Sequence, residues 1–269
     1  MTDSTVGRQT ALGTVNAWNS GASLGGSLAL VVGFWWAATG VTLAMQRSPL
    51  TSAASLAIAS VLALVGAGLV VRTRRETTVR SARLAFLGSS LIWWWCSTLF
   101  YAGVGIRIGA DPVAAPQTAT LAIQAIVSTL RADLFGVFAI IAVVLLVWRY
   151  ANRVALWALL VFWSTLQTAK LNVFMGVRNS GADWLPQHLE RLTQFFGPPV
   201  NSWLLPVTVA LLSVWFVLVA RQSQQARHPY AKHASAMIAL LVGLAVLEHV
   251  FLGLHMSLPL WETFKTQTS

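Results

Sequence analysis

The run TAKLNVFMGVRNSGADWLPQHLERLTQFFGPPVNSWLLP, Thr168–Pro206, contains each kind of segment found in the chain. It leaves an apolar helix carrying a single lysine, Lys170, at Gly176 and turns through Asn179, Ser180 and Gly181. The spacing then predicts a short amphipathic helix over 184–196, ended by Gly197, Pro198 and Pro199 before a new apolar run. Asp183 stands where an N-cap is expected, and Pro186 falls in the first turn, where a missing N–H costs nothing. Leu185, Leu189, Leu192 and Phe196 fall on one face, with Gln187, Glu190, Arg191 and Gln194 on the other. A helix this short and polar cannot cross a bilayer; its place is the membrane interface or the mouth of a bundle.

Outward from this segment the chain is mostly hydrophobic. Of 269 residues 56% are hydrophobic and 10% charged, with a mean hydropathy of +0.67. Helices apolar on every face belong in a membrane, so the expected fold is all-α: a polytopic transmembrane bundle. Seven runs are long enough to span, near 23–45, 52–71, 83–106, 117–150, 154–176, 202–220 and 234–256. The organisation is an N-terminal segment 1–22, a bundle 23–256 that includes the loop 177–201, and a tail 257–269. The fourth run, taken as one unbroken helix, is about 51 Å long, more than a bilayer needs.

The net charge of +10 does not point to nucleic acid, because the basic residues lie in short joints rather than on one surface. Arg72, Arg74, Arg75, Arg80, Arg83, Arg149, Arg153, Arg221, Arg227 and Lys232 gather on one side, with Arg8. The other side has the smaller set Arg47, Arg107, Arg178, Arg191 and Lys265, with Arg131 and Lys170 near helix ends on that side. The positive-inside rule therefore predicts a cytoplasmic N-terminus, a periplasmic C-terminus and a periplasmic helix at 184–196. The single cysteine, Cys96, provides neither a disulfide framework nor a thiolate metal site.

Ionisable side chains inside hydrocarbon are expensive and each asks for a partner or a purpose. Arg131, Asp133, Lys170, Glu248 and His249 qualify, with His255 nearer the end of the last span. Together with Asn172 they are expected to form a polar layer, its simplest link an ion pair between Lys170 and Glu248. His249 or His255 could instead offer imidazole to a chlorin magnesium. Trp93, Trp94 and Trp95 sit mid-helix and cover so much of its circumference that at least one is expected to face lipid, a partner subunit or a flat ligand. The chain has no P-loop, no dinucleotide-binding glycine motif, no HExxH and no GxSxG, so an enzyme is not expected.

AKLNVFMGVRN (169–179), LPQHLERLTQFFGPPVN (185–201) and LLPVTV (204–209) resemble the most characteristic segment of the photosynthetic complex assembly proteins of the PuhE type. FWWAATG (34–40), NRVALWALLVFW (152–163) and LEHVFL (247–252) extend the resemblance. It implies a multi-pass protein of the inner, photosynthetic membrane of a phototrophic bacterium. Its implied work is non-enzymatic: helping to assemble the reaction centre and core light-harvesting complex, or managing bacteriochlorophyll for them. Where similar proteins would carry His-Glu pairs in helices three and four, this chain has Cys96-Ser97 and Ala132-Asp133. On this reading Trp93, Trp94, Trp95, Trp184, His188, Leu189 and Leu192 meet partner subunits. The rival expectations are a bacteriochlorophyll carrier ligated through His249 or His255, and an intramembrane transporter or enzyme using Lys170 and Glu248.

Overall fold

A computed structural model describes residues 24–42, 44–45, 52–108 and 118–254. Seven of its helices are long and apolar enough to cross a membrane. They are α1 (Leu24–Thr42), α2 (Ser52–Thr73), α3 (Val79–Tyr101), α4 (Thr118–Val147), α5 (Val154–Met175), α6 (Leu204–Gln225) and α7 (Pro229–Gly253). The fold is all-α and that of a multi-pass membrane protein. Large apolar side chains such as Leu64, Leu145, Leu211 and Leu218 point outward, as lipid-facing surfaces require.

Local chemistry sets several helix ends away from the expected ones. Helix α3 begins at Val79 rather than 83 because Thr78 and Ser81 form a capping box. The Thr78 hydroxyl accepts from the Ser81 N–H at 3.0 Å, and the Ser81 hydroxyl accepts from the Thr78 N–H at 3.0 Å. Helix α7 starts at Pro229 rather than 234, since proline is at home in a first turn. Helix α4 is one continuous helix of 30 residues, about 45 Å long.

Helix α3 lies at the centre, against α2, α4, α5 and α7. Its approach to α2 is backbone to backbone: a Cβ on Gly66 would stand 2.5 Å from the Gly88 carbonyl oxygen. Small residues allow such close packing where water gives no hydrophobic drive. The main core gathers Phe86, Val143, Val154, Leu159, Met237 and Val242 from α3, α4, α5 and α7.

The Arg-rich end is tied together by Asn152, which is 1% exposed. Its amide nitrogen donates to the carbonyls of Thr73 and Ser81, both at 3.2 Å. Its side-chain oxygen accepts from the Val154 N–H at 3.2 Å and the Tyr230 hydroxyl at 3.1 Å. One side chain thus joins the ends of α2, α3, α5 and α7. Nearby, the Arg74 guanidinium lies 4.4 Å from the Tyr150 ring centre. A hydrogen bond from Arg75 and the charge of Arg74 pull the half-buried Tyr150 phenol below its usual range.

At the opposite end, the segment between α5 and α6 departs from expectation. Instead of an α-helix over 184–196 capped by Asp183, there are two 3₁₀ stretches, Ala182–Trp184 and Gln187–Phe195. Asp183 falls inside the first, and the residue before the second is Pro186, which has no capping side chain. The segment is fastened at its base, where Gly197 N–H donates to the Val173 carbonyl at 3.1 Å and Ser202 N–H to that of Gly176 at 3.0 Å. Gly176, at φ 112°, takes a backbone conformation that side chains disfavour. So anchored, the segment lays Leu189, Leu192 and Phe195 onto Ala122, Ala125 and Phe174 of α4 and α5. It is a plug over one end of the bundle.

A candidate intramembrane cavity

Beneath the plug lies a cavity of about 380 Å³, walled by α1, α3, α5 and α7. Its walls are largely aromatic, with Trp35, Trp93, Trp94, Phe100, Phe162 and Phe174 among them, and the plug adds Leu185, Leu192 and Phe196. Lys170 and Glu248 also reach the lining. Its volume falls at the small end of the range for ligand pockets, about 300–1,000 Å³.

The expected ion pair between Lys170 and Glu248 is not what the structure contains. The Lys170 ammonium lies 2.6 Å from both oxygens of Asp133 on α4. Asp133 also accepts from the Gln167 amide at 3.0 Å and the Thr129 hydroxyl at 3.3 Å. Both charged side chains are 12% exposed, and each oxygen has a second donor, the condition under which a buried pair holds. Glu248 instead accepts a 2.9 Å hydrogen bond from the Trp35 indole N–H of α1. The correction is one of helix adjacency: Lys170 and Asp133 come together because α4 packs on α5.

The other polar residues also pair across helices. His249 is fully buried: its Nδ1 lies 2.8 Å from the Ala245 carbonyl and its Nε2 3.0 Å from the Thr168 hydroxyl. Since a carbonyl can only accept, the proton sits on Nδ1, and Nε2 faces Thr168. Both ring nitrogens are engaged, so a magnesium could reach Nε2 only by displacing Thr168. Asn172, also fully buried, donates to the Thr168 carbonyl at 2.8 Å and the Thr208 hydroxyl at 2.9 Å, joining α5 to α6. Arg131 is exposed on α4, away from the Lys170 pair. His255 lies outside the described residues, as do residues 1–22 and the tail 257–269.

The three adjacent tryptophans are all taken up by the fold, and none is exposed. Trp93 stacks on Phe162 of α5 with ring centres 5.8 Å apart. The Trp94 indole donates to Thr42 of α1 at 2.9 Å and that of Trp95 to Ser60 of α2 at 3.1 Å. Each serves a different neighbouring helix; Trp94 is buried, and Trp93 and Trp95 are partly so. Leu189 and Leu192, each 2% exposed, face inward, so the apolar stripe of the plug is spent within the chain. His188 is exposed and bonds through Nε2 to the Tyr101 carbonyl at 2.9 Å. Trp184 belongs to the first 3₁₀ turn.

Sequence reasoning missed Trp35, Thr168 and Gln167 as partners of the buried polar groups, and Asn152 altogether. Trp35 stands in the FWWAATG run, where an indole N–H on a neighbouring span was the available partner for a carboxylate at membrane depth. Asn152 sits in a polar joint, where an asparagine is unremarkable.

No solved structure matches this chain. It is 27% identical over 227 residues to a protein of Rhodobacter capsulatus described as an uncharacterized 30.4 kDa protein in the puhA 5' region, covering 82% of each chain. Residues 22–267 match the family described as a protein of unknown function, DUF3623, and the chain belongs to that family.

Proposed function

We propose that this protein is a non-enzymatic accessory factor in building the reaction centre and core light-harvesting complex of a phototrophic bacterium. The observation that carries the reading is the similarity, over 82% of both chains, to a protein named for its place beside puhA, a reaction-centre gene. The resemblance of 169–209 to photosynthetic assembly proteins points the same way. Binding is favoured over turnover because Lys170 and Glu248, the pair an intramembrane enzyme or transporter would use, are each held by a separate partner. The protein would lie in the inner, photosynthetic membrane with its N-terminus in the cytoplasm.

The partner-facing surface moves accordingly. With Leu189 and Leu192 turned inward, the plug offers the exposed His188, Glu190 and Arg191, helices α1 and α5 offer the exposed Trp36 and Trp157, and Trp203 is exposed just before α6. Tyrosine, tryptophan and arginine are the usual anchors of interfaces.

The test is gentle purification of the tagged protein from a phototrophic host, with an absorption spectrum and identification of accompanying polypeptides from one fraction. Colourless protein that brings down reaction-centre or antenna subunits is expected, and Glu190→Lys should cut that recovery without altering thermal unfolding. A stoichiometric near-infrared band without those subunits would instead make it a bacteriochlorophyll carrier. Protein that emerges colourless and alone from cells building photosystems would remove the reading.

A further inference from the structure

The carboxylate of Glu248 is the one acidic group on the cavity lining, and among the described residues it makes no ion pair. Trp35 satisfies one oxygen at 2.9 Å; no described residue donates to the other. Glu248 is exposed, and beside it on α7 so are Leu247, Val250 and Phe251, so among the described residues nothing packs over this stretch of α7. An acidic group at membrane depth without a counter-ion is costly, and its retention points to a use.

The hydrogen-bonding sense of the lining narrows what that use is. The indole donors of Trp35 and Trp94 are spent on Glu248 and Thr42. The hydroxyl protons of Thr39, Ser97 and Thr165 are spent on carbonyls of their own helices, at 2.9, 3.2 and 2.8 Å. What these hydroxyls turn to the cavity is acceptor lone pairs. The Lys170 ammonium turns two of its three protons to the Asp133 oxygens, and the hydroxyls of Tyr101 and Ser180, which can act either way, stand at the plug end. The cavity is therefore aromatic, rich in acceptors and carries one uncompensated carboxylate.

The geometry points to a binding site for a membrane-dissolved ring compound that carries a hydrogen-bond donor, O–H or N–H, with Glu248 as its anchor. Aromatic faces hold the ring, and the free carboxylate oxygen takes the donor; a cationic amine would gain from the same aromatic walls. At about 380 Å³ the space is near the small end of ligand pockets, which run about 300–1,000 Å³, and suits one or two rings rather than a tetrapyrrole. The site stands on the cavity itself and does not depend on which complex the protein serves.

The test uses the full chain in lipid nanodiscs, with empty nanodiscs to subtract partitioning. Tryptophan fluorescence is followed while 2-naphthylmethylamine, 2-naphthol or naphthalene is titrated in. The two donor-bearing probes should bind saturably and naphthalene should not. Glu248→Gln, which keeps an acceptor for Trp35, should weaken the amine about tenfold or more, the worth of a hydrogen bond to a charged group, and the naphthol less. Ala38→Phe, which fills the cavity from the peripheral α1, should abolish both, with unfolding temperature and size-exclusion profile showing that the bundle survives. Amine-only binding would make the natural ligand a cation; naphthol binding as well would extend it to alcohols and phenols. Equal saturable binding of naphthalene, indifference to Glu248→Gln, persistence in Ala38→Phe, or no binding by either donor probe would each overturn the assignment.

Discussion

Lys170 shows how a charge is kept at membrane depth. Two contacts of 2.6 Å to Asp133 neutralise it, and Gln167 and Thr129 occupy the remaining lone pairs. Removing one member leaves the other charged and poorly solvated, which for buried pairs costs about 3–5 kcal/mol. Lys170→Met alone should therefore lower stability by about that amount, whereas Lys170→Met with Asp133→Leu should lose much less. Thermal unfolding in detergent, followed by circular dichroism, reads both; a double variant no more stable than the single one would mean that the pair is not the point. The sequence identified Lys170, Asp133 and Glu248 as residues in need of partners. It could not pair them, because helical periodicity fixes depth and face but not which helix stands next to which. The same gap hid the bonds to His249 and the three different helices that Trp93, Trp94 and Trp95 meet.

Between elements, the sequence was most legible where lipid sets the rule. A segment that must satisfy its own backbone in hydrocarbon becomes a helix, and its length follows from bilayer thickness, so all seven spans could be read from hydropathy. The ends were less legible, since a capping box at Thr78 and Ser81 or a first-turn proline can move them by several residues. The joints hold the information that hydropathy lacks. Asn152 ties four helix ends with four side-chain hydrogen bonds at 3.1–3.2 Å. Asn152→Ala strands the carbonyls of Thr73 and Ser81 and should cost about 2–3 kcal/mol in the same unfolding assay. Where α2 meets α3, Gly66→Val would drive a side chain into the Gly88 carbonyl and should cost about 1–3 kcal/mol. Gly68→Ala, two residues along with nothing within 4 Å of its added carbon, is the control and should leave unfolding unchanged.

For the molecule as a whole, the two ends do different work. One is a basic face closed by Asn152; the other carries the plug over the cavity. That plug is where pattern and structure part most clearly. Leu185, Leu189, Leu192 and Phe196 have the spacing of an amphipathic helix, and Leu189 and Leu192 are indeed buried, but in 3₁₀ turns whose ends are pinned by Gly176 and Gly197. Burial of the stripe did not require the α period, because the bonds from Gly197 to Val173 and from Ser202 to Gly176 fix how the segment lies over the bundle. The proposed orientation puts the Asn152 end in the cytoplasm, because Arg72, Arg74, Arg75, Arg80, Arg83, Arg149 and Arg153 belong to that end and positive residues favour the cytoplasmic side. With Cys96 replaced by alanine, Arg191→Cys should react with a membrane-impermeant maleimide in intact spheroplasts, and Glu76→Cys only after the membrane is opened. The reverse pattern would turn the bundle over, placing the plug and the cavity mouth in the cytoplasm and moving the expected partner contacts to that side.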